Sequence, residues 1–150
     1  MMMRARGFSL VELLIIVILL GLLSVVLLVP LKKLTSSART STIQGTNSTI
    51  RSAVALSILK YAAAGNPNAN KIEASSKAIL VNPGSGIPIG AYPGIGTALN
   101  FPSSSQSNGL VVDYTHPHAV SFQLSRDANN HCQVIYNGIT GITTITTTDC

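Results

Sequence analysis

The apolar residues of this chain are massed near one end and then thin into periodic patterns. An apolar run opens at Phe8 with Glu12 as its only charge, and no charged residue occurs from Leu13 to Leu31. At about 1.5 Å per residue the uncharged run nearly crosses a ~30 Å hydrocarbon core, and its flanks complete the span. The pattern predicts a membrane-spanning helix. A carboxylate in such a segment is costly, which marks Glu12 as a functional residue. Beyond Pro30 the chain turns polar but keeps a helical period: Ile43, Ile50, Val54, Ile58 and Tyr61 share one face, and Leu56 and Leu59 the opposite one. Gly21 and Pro30 predict breaks or kinks. Ala62-Ala63-Ala64 followed by Gly65 and Pro67 predicts the helix end.

From Asn66 to Asn108 the sequence is punctuated by Asn82-Pro83-Gly84, Ile87-Pro88, Tyr92-Pro93-Gly94, Phe101-Pro102 and Ser103-Ser104-Ser105, which predicts loops. Lys77 to Val81 reads as a short strand within them. The final third alternates as strands do: Leu110, Val112, Tyr114; Val120, Phe122, Leu124; Cys132, Val134, Tyr136. Arg126-Asp127-Ala128-Asn129-Asn130 reads as a turn and Asn137-Gly138 as a hairpin, before a last β-prone run from Ile142 to Thr148. The fold class expected is α+β: a long N-terminal helix, its inner half in the membrane, packed against a small antiparallel sheet.

Composition changes this picture little. A hydrophobic content of 46% with only 10% charged residues suits an anchored chain. The net charge of +5 falls to +3 without Arg4 and Arg6. From Asn66 onward Lys71, Lys77 and Arg126 meet Glu73, Asp113, Asp127 and Asp149, so the C-terminal part is weakly acidic. The surplus lies on Lys32, Lys33, Arg39, Arg51 and Lys60, along the helix, which is no footprint for nucleic acid. A secretory signal peptide with a cut near Ser36 and Ala38 fits poorly, because the apolar run is too long and Lys32 and Lys33 intervene.

One motif is more specific. Arg6 and Gly7 followed by Phe8-Ser9-Leu10-Val11-Glu12-Leu13 resembles the processing site of type IV prepilins and related pseudopilins. The resemblance implies cleavage between Gly7 and Phe8 by a prepilin peptidase, N-methylation of Phe8, and an assembly role for Glu12 and Phe8. The physical logic is consistent with it. Arg4 and Arg6 hold the leader on the cytoplasmic side, and cleavage removes them and creates an ammonium at Phe8. Glu12 would pair with the Phe8 ammonium of a neighbouring subunit and set the axial register of the two helices. The expected organisation is a leader at 1–7, a transmembrane and assembly segment at 8–31, an outer amphipathic helix at 32–65 and a head at 66–150.

An even cysteine count beyond an export signal suggests one disulfide, Cys132–Cys150, in an oxidising compartment, with two buried free thiols as the alternative. A C-terminal disulfide loop at 132–150 is also what pilins commonly carry. Ala38-Arg39-Thr40-Ser41-Thr42 leading to Ser52-Ala53-Val54-Ala55-Leu56, the Tyr92-Pro93 loop and Cys132-x-Val134-x-Tyr136 are similar to the mannose-sensitive haemagglutinin pilins. Pro30 departs from the family by one position, and no second proline follows in the outer helix.

The resemblance implies a structural subunit of a type IV pilus, serving adhesion or motility. Its partners would be the prepilin peptidase, identical and other pilins in a helical polymer, an inner-membrane assembly machinery, and inner-membrane lipid before assembly. The head would be periplasmic and then extracellular. The alternatives are a minor pilin, a type II secretion pseudopilin, whose major form usually has a calcium site in place of the disulfide loop, and a DNA-uptake pilin. The last would need a basic head. No enzyme, metal or cofactor is expected. His116, His118 and His131 fall short of a zinc set once Cys132 is committed to a disulfide. Gly84, Gly86 and Gly90 lack the spacing of a dinucleotide loop. Asn47-Ser48-Thr49 is a chance sequon within a helix, and the threonines from Thr140 to Thr148 read first as β-propensity.

Overall fold

The computed structural model describes residues 8–102, 106–107, 109–116, 118–124, 132–148 and 150, with the side chains of 25–33 and 106–107 outside the description. Helix α1 spans Leu10–Ala64. It opens where the Leu13 N–H donates to the Ser9 carbonyl and closes on Gly65, whose left-handed φ of 66° lets its N–H return to the Ala62 carbonyl. The three alanines, the glycine and Pro67 therefore end the helix as expected. Helical backbone continues through both Gly21 and Pro30 without interruption. The chain divides into two compact units, Met1–Ser37 and Ala38–Cys150.

The expected fold, a long helix with a membrane-spanning inner half packed against one small sheet, does not hold. Among the described residues no helix is long and apolar enough to cross a membrane. Within the first unit the helical side chains described are those of 10–24 and 34–37, and the apolar stretch 10–24 reaches about 22 Å, short of a ~30 Å core. The helical stretch from 34 onward is interrupted by Arg39, Gln44, Asn47 and Arg51. What the structure shows is a mixed α+β chain with two antiparallel sheets in place of one.

In the second unit, Ile43, Ile50, Val54 and Tyr61 on α1 are buried, while Leu56 and Leu59 on the opposite side are exposed. Ile58 is 37% exposed, and Ser57 takes its place in the buried stripe. Each four-residue step overshoots a full turn by about 40°, so a further such step after Val54 carries Ile58 to the rim. The three-residue step to Ser57 returns to the stripe. Its hydroxyl is satisfied by donating to the Ala53 carbonyl at 2.8 Å.

Strands β1 (Lys71–Ala74) and β2 (Lys77–Leu80) form a hairpin. Short helix α2 is Ile95–Ala98. The second sheet is an antiparallel meander of β3 (Gln106–Ser107), β4 (Leu110–His116), β5 (Ala119–Leu124), β6 (Gln133–Asn137) and β7 (Thr143–Thr146). Its register aligns Val112, Phe122, Val134 and Ile145 across four strands, and Val120 beside Tyr136. This inner face packs on the α1 stripe with Ile95, Cys132 and Cys150. Phe101 meets Phe122 edge-on, with ring centroids 5.8 Å apart. A smaller cluster joins Tyr61 to Ile72, Ile79 and Val81. The expected turns at Arg126–Asn130 and Ser103–Ser105 lie outside the described residues.

Two tyrosines tie loops to this core. The Tyr61 hydroxyl donates to the Pro67 carbonyl and accepts the Gly84 N–H at 2.7 Å. The fully buried Tyr136 donates to the Pro88 carbonyl at 2.6 Å, and burial raises its pKa well above the ordinary value near 10. Because the folded pKa is raised, Tyr136 contributes stability in full below the unfolded pKa and loses it as pH climbs above about 10. Tyr136→Phe should cost about 1–3 kcal/mol at pH 7, since the Pro88 carbonyl loses its donor. Urea unfolding followed by circular dichroism should also show a smaller alkaline loss for the variant. An equal loss in both proteins between pH 10 and 12 would contradict this assignment.

Candidate assembly interface

Between Leu10 and Leu23 the exposed surface of the helix is apolar except at Glu12 and Gly21. Phe8, Leu10, Val11, Leu13 and Leu14 are exposed, as is each large apolar residue from Ile15 to Leu23. Leu10 is 81% exposed, and even Ile16, the most covered of them, is 40% exposed. These residues occupy consecutive positions, so they surround the helix instead of marking one face. A helix apolar all round is stable in water only when something apolar covers it.

Glu12 is the acid of this segment, exposed in the first turn of α1. A negative charge there is favoured by the helix dipole. Ser9-Leu10-Val11-Glu12 also has the spacing of a capping box, a local role that hydropathy does not reveal. Glu12 makes no ion pair among the described residues. Phe8 stands just before the helix and is 67% exposed. The expected cleavage residue Gly7 and the leader 1–7 lie outside the described residues.

Cys132 and Cys150 form a disulfide, as expected, with Cα atoms 5.3 Å apart. Both are buried in the main core, and an Arg39 guanidinium N–H donates to the Cys150 carbonyl at 3.3 Å. The bridge thus fixes the end of the described chain against α1. His116 and His118 are exposed, and His131 lies outside the described residues. Among the described residues no group of three metal-ligating side chains converges.

Gly86 and Gly90 serve packing. Gly86, with φ 69°, lies against the Tyr61 ring, and Gly90 against the His118 backbone. Asn137 does end a hairpin strand: its side-chain oxygen accepts the Ile139 and Thr140 N–H groups at 2.9 and 3.1 Å. A Cβ on Gly138 would overlap the Gly90 backbone. Asn82 was not foreseen as a link, yet its amide donates to the Gly138 carbonyl at 2.6 Å and the Ile87 carbonyl at 3.3 Å. Its only signal in sequence was the Asn82-Pro83-Gly84 turn. The sequon asparagine Asn47 lies within α1, with its side-chain oxygen buried and unpaired among the described residues.

No family model, curated protein or solved structure matches this chain.

Loss of the disulfide should be costly, because it closes a loop with a sequence separation of 18. Cys132→Ser is expected to lower stability by about 2–5 kcal/mol, with lower steady-state levels of the chain. Thiol titration of the denatured wild-type protein without reductant should find none. Two reactive thiols under those conditions would rule the bridge out.

Proposed function

We propose that this chain is a structural subunit of a type IV pilus, built by polymerisation through its N-terminal helix. The observation that carries the reading is the apolar surface surrounding residues 10–24, bearing a single carboxylate at Glu12. Full burial of each leucine or isoleucine contributes about 1.5–3 kcal/mol. About ten such side chains suffice to offset the ~4–15 kcal/mol cost of association. The helices of neighbouring copies supply a cover of the same chemistry, repeated without limit.

The motif Arg6-Gly7-Phe8 supplies the second support. Cleavage after Gly7 by a prepilin peptidase would remove Arg4 and Arg6 and leave an ammonium on Phe8. Within an apolar helix bundle that ammonium and Glu12 of an adjacent copy neutralise one another, and a mismatch in register leaves both uncompensated. The role is assembly, and the chain's residues perform no reaction in it.

The test separates charge from capping at Glu12. Glu12→Gln keeps the hydrogen-bonding length of a capping box and removes the charge. Shearing cells should release filaments containing the unaltered chain, starting at N-methylated Phe8 by mass spectrometry. The Gln variant should be cleaved normally and yield at least about tenfold fewer filaments, the effect of losing roughly 1.4 kcal/mol per contact. Absence of the unaltered chain from the sheared fraction, or wild-type filament levels from Glu12→Gln, would overturn the proposal.

A further inference from the structure

The second unit carries two polar grooves separated by the thickness of the five-stranded sheet. On the outward face, the register sets Ser121 between Asp113 and Ile135, and Gln123 beside Gln133. With His116 these residues line an open cavity of about 450 Å³. The Thr115 hydroxyl and N–H, the latter 2.9 Å from the carboxylate, hold the Asp113 carboxyl below the usual range. The Gln123 amide donates to the Ser121 hydroxyl at 3.1 Å. His116 also lowers the Asp113 pKa electrostatically, and the exposed negative charge beside the Ser121, Gln123 and Gln133 side chains suits a cation that brings several N–H groups.

Such a cation stands on the other side of the sheet. Arg51 is exposed on α1 and shares a cavity of about 320 Å³ with Asn47, Ile142, Thr143 and Ile145. Thr143 and Ile145 pair with the inward-facing Tyr136 and Val134, which places this second cavity on the helix side. Arg51 makes no hydrogen bond or ion pair among the described residues. Arg39 is already engaged with Cys150, and Lys77 with Asn100. A guanidinium also matches a carboxylate with two parallel N–H donors, which an ammonium cannot do.

We infer that the Asp113 groove of one copy receives Arg51 of a second copy, so that the outer sheet face of one subunit docks on the helix flank of the next. The sheet separates the two groups within one chain, so the pair forms only between copies. A contact joining two different patches is heterologous, and such contacts propagate into open helical polymers when rotation does not close a ring. The inference rests on the filament reading above and adds a second contact to it, remote in sequence from Glu12.

The first test is a zero-length crosslink in filaments of the full-length Arg51→Lys chain. Carbodiimide activates the Asp113 carboxyl, and the introduced lysine amine then forms an amide with net loss of water. A dimer band whose peptide map joins positions 113 and 51 is expected, and adding Asp113→Asn should abolish it. Filaments that give no such linkage overturn the inference. If the unaltered chain forms no filaments, the filament reading fails by itself, and the same crosslink on the purified full-length chain still decides the pairing. The second test exchanges the charges. Asp113→Arg and Arg51→Asp should each reduce sheared filaments about tenfold, and the double variant should restore them to within about twofold. Single variants at wild-type levels, or a double variant no better than either single, would equally overturn the pairing.

Discussion

The second unit depends on one contact, the burial of a narrow stripe of α1 against the inner face of the meander sheet. Ile43, Ile50 and Val54 from the helix meet Val112, Val120, Phe122, Val134 and Tyr136 from the strands, all nearly or wholly excluded from water. The helix stripe, with Ile95 and Phe101 beside it, covers that face, so the strands and the helix each supply what the other needs. The remaining links extend this contact: the disulfide and Arg39 at one end, Tyr61 with its loop at the other, and Tyr136 reaching through to Pro88. The opposite side of α1 is left bare, with Leu56 and Leu59 exposed.

Much of this contact is legible in the order of residues. Periodicity identifies four of the five expected stripe positions, alternation places β4, β5 and β6, and the β-prone run from Ile142 to Thr148 places β7. These signals survive because one-sided burial leaves a period of 3.6 or 2 in any chain. The hairpin β1–β2 is harder to see, because its turn uses Ser75 and Ser76, both with positive φ, where glycine or asparagine is the usual marker. Strand β3 and helix α2 are too short to carry a period at all. The Asn82 bonds join segments far apart in sequence, and no local pattern encodes such a link.

The N-terminal segment is where pattern and structure part. Hydropathy alone reads one uninterrupted apolar run as a membrane crossing, whereas no described helix is long and apolar enough for one. What persists in both is a helix whose every side is apolar and exposed, with one acid in its first turn. Such a surface demands a cover. Identical helices from neighbouring copies meet the demand, and the single carboxylate gives their packing a register that leucine and isoleucine alone cannot specify.

That cover can be observed directly by placing a photo-activated crosslinking side chain at Leu19, in the exposed apolar segment, in cells producing the full-length chain. Illumination should convert the chain into a ladder of dimers, trimers and higher multiples linked through the helix. A chain that remains monomeric, or crosslinks only to a different protein, would contradict the claim that copies of this helix cover one another.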